Sequence, residues 1–180
     1  LLESLRTQRE AIIRCYLPEV RRMAGYLSQT RGMAEFDAEL DPRVAHYADI
    51  MPKIDQRIPA RHRELPYRCL LVFVAAKLTN TALDREPNYP DPATFQKDID
   101  LIARSLEAGK GQHAGLFSVR RLQRKIETFG FHLATLDTRQ DALVHRADLG
   151  EILGESQWVK RPAEERTAVL AKHLAPPLQS

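Results

Sequence analysis

Phe129-Gly130-Phe131-His132-Leu133-Ala134-Thr135-Leu136-Asp137-Thr138-Arg139-Gln140-Asp141 joins a helix end, a glycine and a run of strand formers. Upstream of it, Leu116, Val119, Leu122 and Ile126 recur at helical spacing, with Arg120, Arg121, Arg124 and Lys125 on the other side. Residues 114–128 therefore read as an amphipathic helix. After Gly130 the period changes, and the alternating bulky positions of residues 131–136 predict one short strand. Helix, glycine, strand is the order in which a barrel or doubly wound unit feeds a parallel strand. The strand would deliver Arg139 at its C-terminal end, where an α/β barrel carries catalytic and binding groups. A guanidinium fixed there suits a phosphate or carboxylate, because it can make two parallel charge-assisted bonds. A plainer role is open to the same residue: Arg139 pairs with Asp137 or Asp141 and ties the strand end down.

Outward from this block the chain reads as helices. Leu5, Ile12, Ile13, Tyr16, Val20, Met23 and Leu27 predict a long amphipathic helix over residues 3–29, which Pro18 should kink or split. Residues 31–42 read as a loop, and a second helix runs from near Pro42 to just before Pro52. The Pro- and Arg-rich residues 52–66 read as a loop leading into a helix from Tyr67 to about Ala82. That helix is apolar on most sides and is expected to be deeply buried. Residues 84–91 form another loop. Asp91-Pro92 is an N-cap followed by proline at the first helical position, and it opens a helix with Phe95, Ile99, Ile102 and Leu106 on one face. Gly109 and Gly111 close it. Helices follow from Gln140 to Leu153 and from Pro162 to about Leu174, with Trp158 in a loop between them. The fold class is thus mainly α with one short strand. A lone strand leaves its backbone groups unpaired, so either the 180 residues are a single helical segment of a larger barrel enzyme or the strand reading fails.

Composition narrows the class. An apolar share of 43% with a net charge of only +3 excludes a disordered chain. The same small basic excess argues against nucleic acid, which requires a concentrated basic stripe. The longest apolar run, Cys69 to Ala76, is far shorter than the ~20 residues of a membrane span. Cys15 and Cys69 lie in apolar helical patterns without metal-ligand spacing and are expected to be buried, reduced thiols. Leu1-Leu2-Glu3-Ser4-Leu5-Arg6 has neither an initiator Met nor a signal-peptide layout and opens inside a helix. A cytoplasmic chain cut from a longer one is the expectation.

The block from 129 to 145 resembles a signature of the phosphoenolpyruvate carboxylases, in which Phe-Gly, a hydrophobic strand, Asp-x-Arg-Gln-Glu-Ser and a downstream His occur in this order. Phe129, Gly130, Leu136, Asp137, Arg139, Gln140 and His145 match it. Pro66-Tyr67-Arg68 and the long apolar helix behind it are also similar to the family, as is Arg121-Leu122-Gln123-Arg124-Lys125-Ile126 before the strand. The resemblance covers nearly the whole chain, although only residues 129–145 are specific enough to stand alone. Two departures are visible: Asp141-Ala142 stands where the family has Glu-Ser, and Thr138 replaces an aliphatic residue. The lost Ser hydroxyl removes a possible helix-start hydrogen bond.

What the resemblance implies is a lyase of the tricarboxylic acid cycle's supply reactions. It carboxylates phosphoenolpyruvate with bicarbonate to give oxaloacetate and phosphate, fixing carbon dioxide with the help of magnesium. The family enzymes are typically allosteric homotetramers. Residues 129–145 would supply the barrel strand and the arginine motif. Arg139 would be catalytic, binding the substrate phosphate and stabilising charge during transfer. The family's catalytic histidine stretch, Thr-Ala-His-Pro-Thr, does not occur in this chain. Its Gly-rich loop and the segments bearing its acidic metal ligands are absent too, so the segment alone is expected to be inactive.

Other candidates carry less chemistry. His46, His62, His113 and His173 are scattered without ligand spacing. His132 reads as a packing residue, and His145 either serves the family pattern or caps and pairs within its own helix. Arg57, Arg61, His62, Arg63 and Arg68 form a phosphate patch or a solvated loop. The rival class is a non-enzymatic helical interaction module, or an RNA-binding one using the basic face at Arg120, Arg121, Arg124 and Lys125.

Overall fold

The computed structural model describes residues 2–32, 34–109, 113–132 and 141–174. Ile12, Ile13, Tyr16, Val20 and Met23 line one side of the first helix, α1 (Leu2–Tyr26), and all are buried, as is Leu27 just beyond it. Pro18 lies inside α1 without dividing it. Its missing N–H frees the Arg14 carbonyl, and both residues are exposed, so solvent can take over that bond. Five further helices complete the first compact unit, Leu1–Thr135: α2 (Leu40–Ile50), α3 (Pro52–Asp55), α4 (Pro66–Ala82), α5 (Pro92–Ala108) and α6 (Leu116–Phe129). The short α3 and a 3-10 turn at Ala60–His62 occupy the stretch expected to be loop.

As its composition predicts, α4 is central. Leu70, Leu71, Phe73, Val74 and Leu78 are fully buried, and α1, α2, α3 and α5 all pack against this helix. Arg68 donates to the Ala24 and Gly25 carbonyls, each at 2.6 Å, satisfying orphan acceptors at the end of α1. The α5 N-terminus forms as expected, with Pro92 in the first turn and the Asp91 side chain accepting from the Thr94 N–H at 2.6 Å. Gly109 ends α5 where a Cβ would lie 2.6 Å from the Glu35 carbonyl, so no larger residue fits.

The second unit, Leu136–Ser180, contains α7 (Ala142–Ile152) and α8 (Ala163–Leu174). Trp158, expected in a loop, sits on a 3-10 turn (Trp158–Lys160) and is 1% exposed. It packs on Gly150, where a Cβ would approach the Trp158 Cβ to 2.8 Å. Just past α7, Gly154 takes a left-handed φ of 68°. The Glu155 N–H then reaches the Gly150 carbonyl and the Gly154 N–H reaches that of Glu151, a Schellman closure.

Two expectations need correction. Cys69 is buried, as read, and burial pushes its thiol pKa up, but Cys15 is exposed. Cys15 shares the solvent side of α1 with Arg14, Pro18 and Arg22, while its neighbour Tyr16 turns inward. The strand expected over 131–136 does not start at Phe131, which lies in a turn closed by the His132 N–H on the Phe129 carbonyl at 2.9 Å. Residues 133–136 lie outside the described residues, and among those that are described there is no strand.

Candidate functional site

Of the 129–145 block, residues 129–132 belong to the first unit and residues 141–145 to the second. In the first unit, Gly130 follows α6 with φ 53°, which turns the chain out of the helix. The Gly130 carbonyl accepts from the Tyr16 hydroxyl at 2.8 Å, and Lys125's carbonyl accepts from the same hydroxyl at 3.2 Å. Phe131 then drops into the core and stacks on Phe95, centroids 6.3 Å apart. His132, expected to pack, is exposed instead. It lines an open cleft of about 840 Å³ with Arg6, Arg9 and Asp84, and Arg9 reaches Asp84 at 2.6 Å. The chain turns at Phe131, so His132 does not sit in a strand covered on both faces.

In the second unit Asp141 caps α7: its Oδ1 accepts from the Leu143 N–H at 2.8 Å. A helix-start bond is thus made by the residue before the position where the family has Ser. His145 is exposed on α7, and its side chain has no hydrogen-bond or ion-pair partner among the described residues. Arg139 itself, with Asp137, Thr138 and Gln140, lies outside the described residues.

The basic clusters do not converge. Arg63 makes a two-pronged bond to the Asp55 carboxylate at 3.0 and 3.1 Å, and Arg68 caps α1, so the 57–68 cluster forms no shared phosphate patch. On α6, Arg120 bonds Glu107, Lys125 bonds Glu19, and Arg121 approaches Glu19 at 3.9 Å. Three of the four basic residues of that face are thus engaged inside the unit, which leaves little of the unpaired stripe an RNA backbone needs. His46, His113 and His173 are exposed and His62 is half-buried. Among the described residues no group of three or more His, Cys, Asp or Glu side chains could hold a metal ion.

A buried charge network escaped the sequence reading. Asp98 on α5 is 0% exposed and accepts from Arg43 at 2.5 Å and from the Tyr47 and Tyr89 hydroxyls at 2.6 Å each. Lys77 on α4 donates to the Tyr47 hydroxyl at 3.2 Å and lies over the Tyr89 ring, 4.1 Å from its centroid. Burial lowers the Lys77 pKa, against the pull of Asp98, and burial raises that of Tyr89. The signal was there: Asp98 stands three residues after Phe95 in the apolar stripe of α5, and Lys77 stands between buried Val74 and Leu78. Asp98 is fully buried and lines neither the 840 Å³ cleft at His132 nor the cleft beside α3, and its bonds tie α2, α4 and α5 together.

The described residues form a mainly helical chain in two compact units. Residues 1–178 match the family model for phosphoenolpyruvate carboxylase. The chain is 38% identical over 172 residues to a phosphoenolpyruvate carboxylase of Xanthomonas euvesicatoria pv. vesicatoria (strain 85-10), covering 96% of this chain and 19% of that protein. A phosphoenolpyruvate carboxylase of Xanthomonas oryzae pv. oryzae (strain MAFF 311018) is 37% identical, with 94% and 19% covered. That of Azorhizobium caulinodans is 29% identical, with 98% and 20% covered. The chain belongs to the phosphoenolpyruvate carboxylase family. It spans about a fifth of the length of these curated relatives.

Proposed function

We propose that this chain is the segment of a phosphoenolpyruvate carboxylase that supplies the arginine for the substrate phosphate, Arg139. In that reaction the phosphoryl group leaves the enol oxygen of phosphoenolpyruvate for bicarbonate, giving an enolate and carboxyphosphate. Carboxyphosphate releases inorganic phosphate and carbon dioxide, and the enolate carbon attacks the carbon dioxide to form oxaloacetate, so the enzyme is a carbon–carbon lyase. Arg139, in a barrel strand end within residues 129–145, would hold the phosphate by paired charge-assisted bonds and offset charge as it transfers. The observation that carries this reading is the family match over residues 1–178, with Asp137, Arg139 and Gln140 inside it.

The longer protein is proposed to be a cytoplasmic, allosterically controlled homotetramer that uses magnesium. The metal's ligands are assigned to other segments of the longer protein, because the family segments that bear them do not occur in this sequence. Phosphoenolpyruvate and bicarbonate are its substrates. No helix among the described residues is long and apolar enough to cross a membrane.

In the full-length protein, Arg139→Ala and Arg139→Lys should both lose kcat/KM, because lysine keeps the charge without the planar fork. One charge-assisted contact of roughly 1.5–3 kcal/mol corresponds to about ten- to a hundredfold, and transition-state charge could raise the loss to about a thousandfold. Variants that melt early yet keep their kinetic constants would make Arg139 a structural pin. The 180-residue chain alone should give background in an oxaloacetate-coupled assay, and turnover that survives its purification would refute the proposed division of labour.

A further inference from the structure

A cleft of about 640 Å³ opens on the first unit where the end of α2, α3 and the flank of α4 meet. Its apolar lining includes Val72, Ala75 and Ala76 of α4 with Met51 and Ile54. Those α4 residues are half-buried, on a helix otherwise sunk in the core. Three cations also line it: Arg21 from α1, Lys53 from α3, and Arg57 from the turn that follows. All three are exposed, and none of their side chains has an ion-pair or hydrogen-bond partner among the described residues. No carboxylate lines the cleft.

The contrast with the neighbouring arginines is sharp. Arg63 is held by Asp55 and Arg68 by the end of α1, whereas the three cations at this cleft are left unpaired. The other polar groups there are already committed as donors. Thr79 Oγ1 donates to the Ala75 carbonyl at 2.8 Å, and Asn80 Nδ2 donates to the Pro87 carbonyl at 2.9 Å. The charged donors left without a partner are therefore the three cations, over an apolar surface.

We propose that this cleft binds a small organic anion with an apolar tail. Its carboxylate head lies against Arg21, Lys53 and Arg57, and its hydrocarbon lies on Val72, Ala75 and Ala76. Like charges beside a low-dielectric wall raise the local concentration of an anion. The volume falls within the roughly 300–1,000 Å³ of small-molecule sites. The site uses no residue of the 129–145 block, so it stands or falls separately from the reaction assigned to Arg139.

The test is calorimetric titration of the protein with sodium octanoate at submicellar concentration. Hexanoate serves as the shorter tail, acetate and inorganic phosphate as anions without a tail, and 1-octanol as the tail without charge. Octanoate should bind at least about tenfold more tightly than acetate, phosphate or octanol. Each added methylene should strengthen binding by at most about fourfold, the value for complete burial. The triple variant Arg21→Gln, Lys53→Gln, Arg57→Gln should weaken octanoate by about tenfold or more. It should also keep the wild-type thermal midpoint, because these exposed groups hold nothing in the fold. Ala76→Phe, which fills the lining, should weaken octanoate without affecting phosphate. No heat with octanoate, equal binding by the triple variant, or phosphate binding as tightly as octanoate would each overturn the proposal.

Discussion

Replacing Asp98 by alanine should be among the most destabilising single changes in the first unit. The carboxylate is 0% exposed and accepts three bonds, from Arg43, Tyr47 and Tyr89. Hydrogen bonds to a charged group are worth roughly 1.5–3 kcal/mol each, but these three do not simply add. The Arg43 side chain is 31% exposed and can turn toward water, and Lys77 still bonds the Tyr47 hydroxyl. Tyr89 has no such escape: it is 2% exposed, and a buried hydroxyl left without an acceptor costs about 1–3 kcal/mol. Lys77 would also lose the carboxylate that opposes its desolvation. Breaking a buried charge pair typically costs about 3–5 kcal/mol, so Asp98→Ala should lose about 4 kcal/mol. Asp98→Asn, which keeps the shape and one acceptor, should lose about 2 kcal/mol. Urea titration followed by far-ultraviolet dichroism measures both, with an unchanged slope confirming that stability alone has moved. The double variant Asp98→Leu, Arg43→Met should cost less than Asp98→Ala, because apolar side chains fill the space that alanine leaves empty. If both single variants stay within about 0.5 kcal/mol of wild type, the network is not a structural tie.

Asp141→Ala should destabilise the second unit by about 1 kcal/mol through loss of the α7 cap. The fluorescence of Trp158, the chain's single tryptophan, reports on that unit, and an unmoved urea midpoint would refute the capping role. Burial, the leading cause at Tyr16, Tyr47, Tyr67 and Tyr89, raises all four pKa values above the ordinary tyrosine value. The folded state therefore binds tyrosine protons more tightly than the unfolded one. This stability is fully present below about pH 10 and is lost as pH rises through the folded values. Lys77, lowered by burial, acts in the opposite sense just below the ordinary lysine range, one group against four. Urea midpoints should fall between about pH 8 and about pH 11, and a flat profile would refute the burial argument.

Much of the helical architecture was legible because its signals lie within one or two turns of chain. The Asp91-Pro92 start of α5 needs only a side-chain acceptor and a proline with no N–H to lose, both adjacent in sequence. The deep burial of α4 followed from its having no polar side to offer water. The candidate arginine was legible for a different reason: Asp137, Arg139 and Gln140 sit in a motif whose order, not its packing, carries the resemblance. The strand start and the role of His132 were misjudged, because a residue pattern does not register that Gly130 takes a positive φ and that Phe131 lies in a turn.

By itself, then, the sequence determined where the helices lie, which faces of most of them are apolar, and to which family the chain belongs. Tertiary structure decided which charges are paired. Lys125 meets Glu19 across 106 residues, Tyr47 meets Asp98 across 51, and Arg68 closes the end of a helix 44 residues earlier. It also decided that Cys15 faces out while Tyr16 faces in, and that Arg21, Lys53 and Arg57 share one cleft without a carboxylate. The physical reason is range. Capping and amphipathic periodicity act between residues a few positions apart, and the local pattern writes them down. Ion pairs, buried acceptors and clefts exist only once helices distant in sequence have packed, and that packing is set by the whole apolar surface at once.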